Sequence, residues 1–199
     1  MIKLQRSDIG WLLNEVAKTL DIPDTLFEDA TSRYQAVGVW LGEGNSPLAT
    51  LSPRIYPQGS FSLGTITRPA DDSDDYDIDL VFELNLGKDK ISQKQLKQMV
   101  GDRLKANDTY NKLLDPEGRR CWTIKYADSA QFHMDILPAI PDQSYRANLQ
   151  FFGVSSELAE TGIAITDNTL PGYEQIVSIW PRCNPKGYTA WFKSRMIAQ

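Results

Sequence analysis

Histidine is almost missing from this chain: His133 stands alone among 199 residues. Cysteine is nearly as scarce, with Cys121 and Cys183 far apart and in no CxxC pattern. Together these exclude a zinc site, which needs several Cys or His ligands at close spacing. They also make no disulfide framework, so reduced thiols and a cytoplasmic location are expected. An excess of positive charge is lacking too: 21 Lys and Arg against 26 Asp and Glu give a net charge of −5. A large surface for duplex DNA or RNA is therefore not expected, because such binding relies on Lys and Arg neutralising phosphates. No apolar run is long enough to span a membrane, and the N-terminus turns amphipathic too soon for a signal peptide. The GxxxxGK(S/T) phosphate loop is absent, as is any internal repeat. What remains is a composition of 41% hydrophobic and 24% charged residues, which suits a soluble globular domain with a sizeable core.

Punctuation along the chain divides it into readable pieces. Residues 7–20 have Ser7 or Asp8 to cap a helix, with Ile9, Leu12, Leu13, Val16 and Leu20 on one face. Pro23 opens a second helix carrying Leu26, Phe27, Ala30, Tyr34 and Val37. A loop over GEGNSPLATLSP leads to a strand at 54–58, then Gly59-Ser60 and a short helical turn. Asp71, Asp72, Asp74 and Asp75 read as a solvated loop before a strand at 77–84. Ser92 caps a helix that buries Leu96, Met99, Val100 and Leu104. CWTIKY and QFHMDILPAI form an antiparallel pair around Ala127-Asp128-Ser129-Ala130. Residues 142–183 carry weak signals, with IAIT as a short strand. Asn184-Pro185 starts a last helix bearing Tyr188, Trp191, Phe192 and Met196. Trp180, Trp191 and Phe192 read as core. The resulting division is 1–45 for N-terminal helices packing on a catalytic lobe, 46–183 for that lobe, and 184–199 for the helix leaving it.

Three aspartates carry the chemistry. In DIDLVF, side chains alternate, so Asp77 and Asp79 share one face while Ile78, Leu80 and Phe82 share the other. Their Cα atoms lie roughly 6.5–7 Å apart in an extended strand. Carboxylates so spaced can converge on a pair of cations about 3.5–4 Å apart. Asp135 lies in a second apolar strand, where a carboxylate is costly unless a partner or metal compensates it. Two aspartates in a strand are by themselves equally a solvent-facing edge. The Gly59-Ser60 turn upstream changes the balance: glycine permits a close approach of backbone N–H groups to a phosphate, and Ser60 adds a hydroxyl. His133 shares parity with Asp135 and can line the same cleft. Arg120 and Lys125, which flank the strand beside it, read as surface charge.

The run of QGS, then YDIDL, then MDI resembles the hG(G/S), Dh(D/E)h and hDh pattern of DNA polymerase β-like nucleotidyltransferases. The wider texture of YPQGSFSLGTIT, DSDDYDIDLV, FHMDILPAIPD and CNPKGYTAWFKSR resembles the bacterial cGAS/DncV-like enzymes (CD-NTases) of anti-phage signalling. The resemblance implies an α+β fold: a mixed, mainly antiparallel sheet flanked by helices, with N-terminal spine helices and a cleft facing a second, helical lobe. It implies that Asp77, Asp79 and Asp135 hold two Mg²⁺ or Mn²⁺ ions, and that Gln58, Gly59 and Ser60 hold the phosphates of an NTP, with ATP expected. Lys186, at a helix start, is a further phosphate candidate. The implied reaction is attack of a ribose hydroxyl on an α-phosphate with loss of pyrophosphate, giving a cyclic oligonucleotide. A regulatory or effector protein is an implied partner of unknown kind. Two other readings stay open: a nucleotidyltransferase of this fold that modifies RNA, protein or a small molecule, and an inactive nucleotide-binding module. Because these enzymes continue into a helical lobe, 199 residues are expected to hold a triphosphate yet turn over slowly.

Overall fold

In a computed structural model, which describes residues 6–69, 71, 75–126 and 132–197, alternating strands build a six-stranded sheet. The strands are β1 (Arg54–Pro57), β2 (Tyr76–Glu83), β3 (Trp122–Tyr126), β4 (Phe132–Pro141), β5 (Ile163–Ile165) and β6 (Arg182–Cys183). Their order is β1-β2-β4-β5-β6, with β3 also on β4. β2 and β4 run parallel; every other pair is antiparallel. β3 and β5 share the outer edge of β4, one opposite 132–136 and the other opposite 139–141. The sheet is thus mixed and mainly antiparallel, as the sequence resemblance implies. The expected turn at Ala127-Asp128-Ser129-Ala130 lies outside the described residues, as do Asp72 and Asp74 of the acidic loop.

The period of two separates the sheet's faces. Ile78, Leu80 and Phe82 of β2 join Met134 and Ile136 of β4 in the main core. Two helices cover that face: α2 (Asp24–Gly42), through Ala30, Val37 and Leu41, and α4 (Gln93–Lys105), through Leu96, Val100 and Leu104. The opposite face holds a smaller cluster of Tyr56, Val81, Leu137, Ala139, Ile163 and Ile165. Asp77, Asp79 and Asp135 lie on that second face, by parity with Val81 and Leu137.

Short connections aim the remaining helices. α3 (Gly59–Leu63) follows β1 directly, and α8 (Pro185–Ile197) lies against it through a Ser62–Thr189 hydroxyl contact of 2.9 Å. Asn184 caps α8 by accepting from the Gly187 N–H at 3.1 Å. α5 (Asp108–Leu113), α6 (Gln143–Phe151) and α7 (Ser156–Ala159) are the helices the sequence reading did not find. Two expectations are corrected. The apolar face of α1 (Arg6–Leu20) covers no core: none of its residues is buried, and Trp11 and Leu13 are about two-thirds exposed. Trp191 is exposed rather than core, whereas Trp180 is buried as expected.

Candidate active site

Parallel pairing of β2 with β4 sets Asp79 directly opposite Asp135, and Asp77 opposite His133. One carboxylate oxygen from each of Asp77, Asp79 and Asp135 lies within 4.8 Å of the others. The apolar residues between them point into the core and fix both strands, so the convergence belongs to the backbone register. Burial is uneven: the Asp77 side chain is 57% exposed, and Asp79 and Asp135 are half-buried.

The Gly59-Ser60 turn is locked onto the same place. The Gln58 N–H donates to the Asp79 carbonyl at 2.8 Å. Gly59 has φ +58°, in the left-handed region, and a Cβ placed there would overlap the Asp79 carboxylate. Glycine is therefore needed twice at this position, for conformation and for space. A cleft of about 530 Å³ opens alongside, with Ser60, Thr65, Thr67, Arg68, Asp77 and His133 among its lining.

Partial burial raises the Asp77 carboxyl above its ordinary range; His133, at 3.4 Å from Oδ1, opposes the rise and Asp135 adds to it. Burial, then the charges of Asp77 and Asp135, pushes Asp79 up to about 6. Such mutual strain among like charges is relieved by a cation. Among the described residues no Lys or Arg forms an ion pair with any of the three. Arg120 is bound to Asp167 at 3.0 Å and Lys125 to Asp115 at 2.7 Å, so both point their charge elsewhere. Three converging carboxylate oxygens are the hard donor set that suits Mg²⁺ or Mn²⁺. The residues present fit a divalent metal, and Asp77, Asp79 and Asp135 are those that could hold it. Neighbouring Cys121 is no nucleophile: burial, with Asp135 and Asp79, pushes its thiol up to about 12.

Lys186 sits with its ammonium 3.6 Å from the Tyr56 ring centroid. Tyr56 pairs with Val81, two residues from Asp79 on the same face, so Lys186 lies over the same side of the sheet as the carboxylates. Burial lowers the Lys186 pKa, with Glu83 opposing. The Tyr56 hydroxyl donates to Glu83 Oε2 at 2.9 Å, and Arg54 pairs with Oε1 at 2.5 Å. The sequence reading missed one polar partner of the site: Thr123, whose hydroxyl donates to Asp135 Oδ1 at 2.5 Å. Its signal was parity, since β3 is read antiparallel to β4 and Thr123 falls on the acidic face.

Residues 53–138 match the family described as cyclic GMP-AMP synthase DncV-like, nucleotidyltransferase domain. That stretch holds Gly59, Ser60, Asp77, Asp79 and Asp135. A c-di-GMP synthase from Roseivirga ehrenbergii is 30% identical over 180 residues, 90% of this chain and 42% of that protein. The structure of the Bradyrhizobium diazoefficiens CD-NTase CdnG in complex with GTP matches with a TM-score of 0.67 at 21% identity, covering 91% of this chain and 45% of that one. Vibrio cholerae DncV cyclic AMP-GMP synthase, in complex with the linear intermediate 5′ pppA(3′,5′)pG, matches with a TM-score of 0.61 at 15% identity, over 92% of this chain and 60% of that one. The chain spans less than half the length of the first two. Over residues 53–138 the chain matches the DncV-like nucleotidyltransferase domain family, and it shares its fold with these proteins.

Proposed function

We propose that this chain holds the catalytic centre of an enzyme that joins nucleoside triphosphates into a cyclic dinucleotide. The observation that carries the reading is the convergence of Asp77, Asp79 and Asp135 within 4.8 Å beside a positive-φ Gly-Ser turn. Gly59 and Ser60 bind the triphosphate through backbone N–H groups and the Ser60 hydroxyl, and Gln58 holds the turn in place by donating its own N–H to the Asp79 carbonyl. Lys186 supplies a further positive charge from the start of α8. The three aspartates hold divalent metal, two ions in this proposal. Bound there, the metal neutralises phosphate charge and makes a ribose hydroxyl a better nucleophile. A new bond forms from that hydroxyl oxygen to the α-phosphorus, the bond to the β-phosphate oxygen breaks, and pyrophosphate leaves. Repeating the step within the linear product closes the ring. Catalysis on such a frame rests on positioning and charge neutralisation.

Among nucleotides, GTP is favoured over the ATP expected from sequence, because the relatives are a c-di-GMP synthase and a CD-NTase in complex with GTP. The anti-phage role rests on the sequence resemblance alone. The test is calorimetric titration of a non-hydrolysable GTP analogue with and without Mn²⁺, beside product analysis by mass spectrometry with all four NTPs. Metal-dependent binding is expected in the wild-type chain and loss of it in the Asp77→Asn, Asp79→Asn double variant. Equal binding by both proteins would show that the nucleotide sits elsewhere, and label transferred to RNA or protein would overturn the cyclic product.

A further inference from the structure

Thr123 stands directly across from Asp135 in the antiparallel register of β3 with β4. Its hydroxyl donates to one carboxylate oxygen, Oδ1, at 2.5 Å. The other oxygen, Oδ2, has no hydrogen bond among the described residues. The terminal torsion of an aspartate is broad and close to two-fold, so nothing in the residue itself selects which oxygen faces the neighbouring carboxylates. Repulsion from Asp77 and Asp79 would turn an unheld carboxylate away from them before a cation arrives.

Thr123 itself is held firmly. Its neighbours Trp122 and Ile124 are buried on the opposite face. The Trp122 indole N–H donates to the Lys97 carbonyl at 2.8 Å, and the Asp115 N–H donates to the Thr123 carbonyl at 2.9 Å. A β-branched side chain on a fixed strand has few rotamers, so the hydroxyl is a stiff donor. We infer that Thr123 is a positioning residue: it clamps Oδ1 of Asp135 so that Oδ2 is presented to a divalent cation shared with Asp77 and Asp79. The inference rests on the reading of those three carboxylates as a metal site. Outer partners of this kind orient metal-binding carboxylates, and their loss weakens metal binding about 10- to 100-fold.

Thr123→Val keeps the branched shape and removes only the hydroxyl. Mn²⁺ binding to the chain is titrated by electron paramagnetic resonance of the free ion, with thermal melts alongside. Thr123→Val should bind Mn²⁺ about tenfold more weakly with an unchanged melting temperature, and Thr123→Ser should restore most of the affinity. Asp135→Asn is the reference. If Asp135→Asn binds Mn²⁺ as the wild type does, the metal reading fails and this inference falls with it. If Asp135→Asn loses binding while Thr123→Val keeps it, the clamp alone is overturned. Should Thr123→Val melt early, Thr123→Ser and Thr123→Ala decide the matter: both lose the methyl and differ only in the hydroxyl. Equal Mn²⁺ affinity in those two would overturn the clamp.

Discussion

Burial and two neighbouring negative charges push the Asp79 carboxyl up to about 6, from an ordinary 3.8. Between those values the folded chain binds more protons than the unfolded one. The stability Asp79 contributes is then fully present below about pH 4 and is lost as pH rises through 6. Asp77 is shifted in the same direction. Asp79→Asn removes the charge that the metal-free fold tolerates poorly. The variant should be more stable than the wild type by about 1–2 kcal/mol at pH 7, after allowing for solvent screening of a half-exposed group. The gap should close toward pH 4. Urea unfolding of both proteins at pH 4.5, 5.5 and 7 in chelator gives the difference; a constant gap would contradict the assigned shift. Gly59 poses a different residue-scale demand. Gly59→Ala puts a side chain at φ +58° and against the Asp79 carboxylate, so a loss of about 1–3 kcal/mol is expected together with loss of Mn²⁺ binding. Ser60→Ala carries neither penalty. It should leave the melting temperature unchanged and weaken only the nucleotide, which calorimetry separates from the Gly59 effect.

At the scale of elements, the best-determined boundary is the start of α4. The Ser92 hydroxyl accepts from the Gln95 N–H at 3.2 Å, and the Gln95 side chain accepts from the Ser92 N–H at 2.9 Å. Ser92 is buried, so water cannot replace the lost bond, and Ser92→Ala should cost about 1 kcal/mol in urea unfolding. No loss would mean that packing of Leu96 and Val100 alone holds the turn. That helix was legible because cap and apolar spacing agree. β2 and β4 were legible because Asp77, Asp79 and Asp135 interrupt otherwise apolar strands. α6 was not, because none of its residues is buried and its inward side is marked only by Tyr145 and Leu149, four residues apart in a short helix. α5 is equally unburied, although Asn107 accepting from the N–H groups of Thr109 and Tyr110 was a signal in plain view. Parallel pairing of β2 with β4 could not be read either: alternation tells which face a residue takes, not which strand lies beside it. Thr123 was missed for a different reason: β3 and β4 were read as an antiparallel pair, but the pairing without its register does not set Thr123 opposite Asp135.

For the whole molecule, the decisive division is between what the sheet buries and what it leaves outside. The accessible surface is 11929 Å², larger than the roughly 9,400 Å² of a compact monomer of this mass. α1 adds to that excess, with Ile9, Trp11, Leu12, Leu13, Val16 and Leu20 all exposed. Its connection to the body runs through its end: the Arg68 N–H donates to the Leu20 carbonyl at 2.7 Å, and the Arg68 guanidinium to the Asp21 carbonyl at 2.8 Å. α2 differs, since Ala30, Val37 and Leu41 are inside the main core. Deleting residues 1–19, which keeps those two carbonyls, should therefore cost less than about 1 kcal/mol, within the range of surface changes. Leu41→Ala should cost about 2–5 kcal/mol, as deletion of a buried aliphatic side chain does. Mn²⁺ binding should survive the deletion, because Asp77, Asp79 and Asp135 are set by β2, β3 and β4. Removing an exposed apolar face also removes a surface for self-association, so the shortened chain should sediment as a monomer at concentrations where the longer one associates. Urea unfolding, Mn²⁺ titration and sedimentation velocity on the three proteins separate these effects. A loss of several kcal/mol on deleting residues 1–19 would show that α1 packs on the body in solution and that the sheet and α2 do not by themselves hold the site.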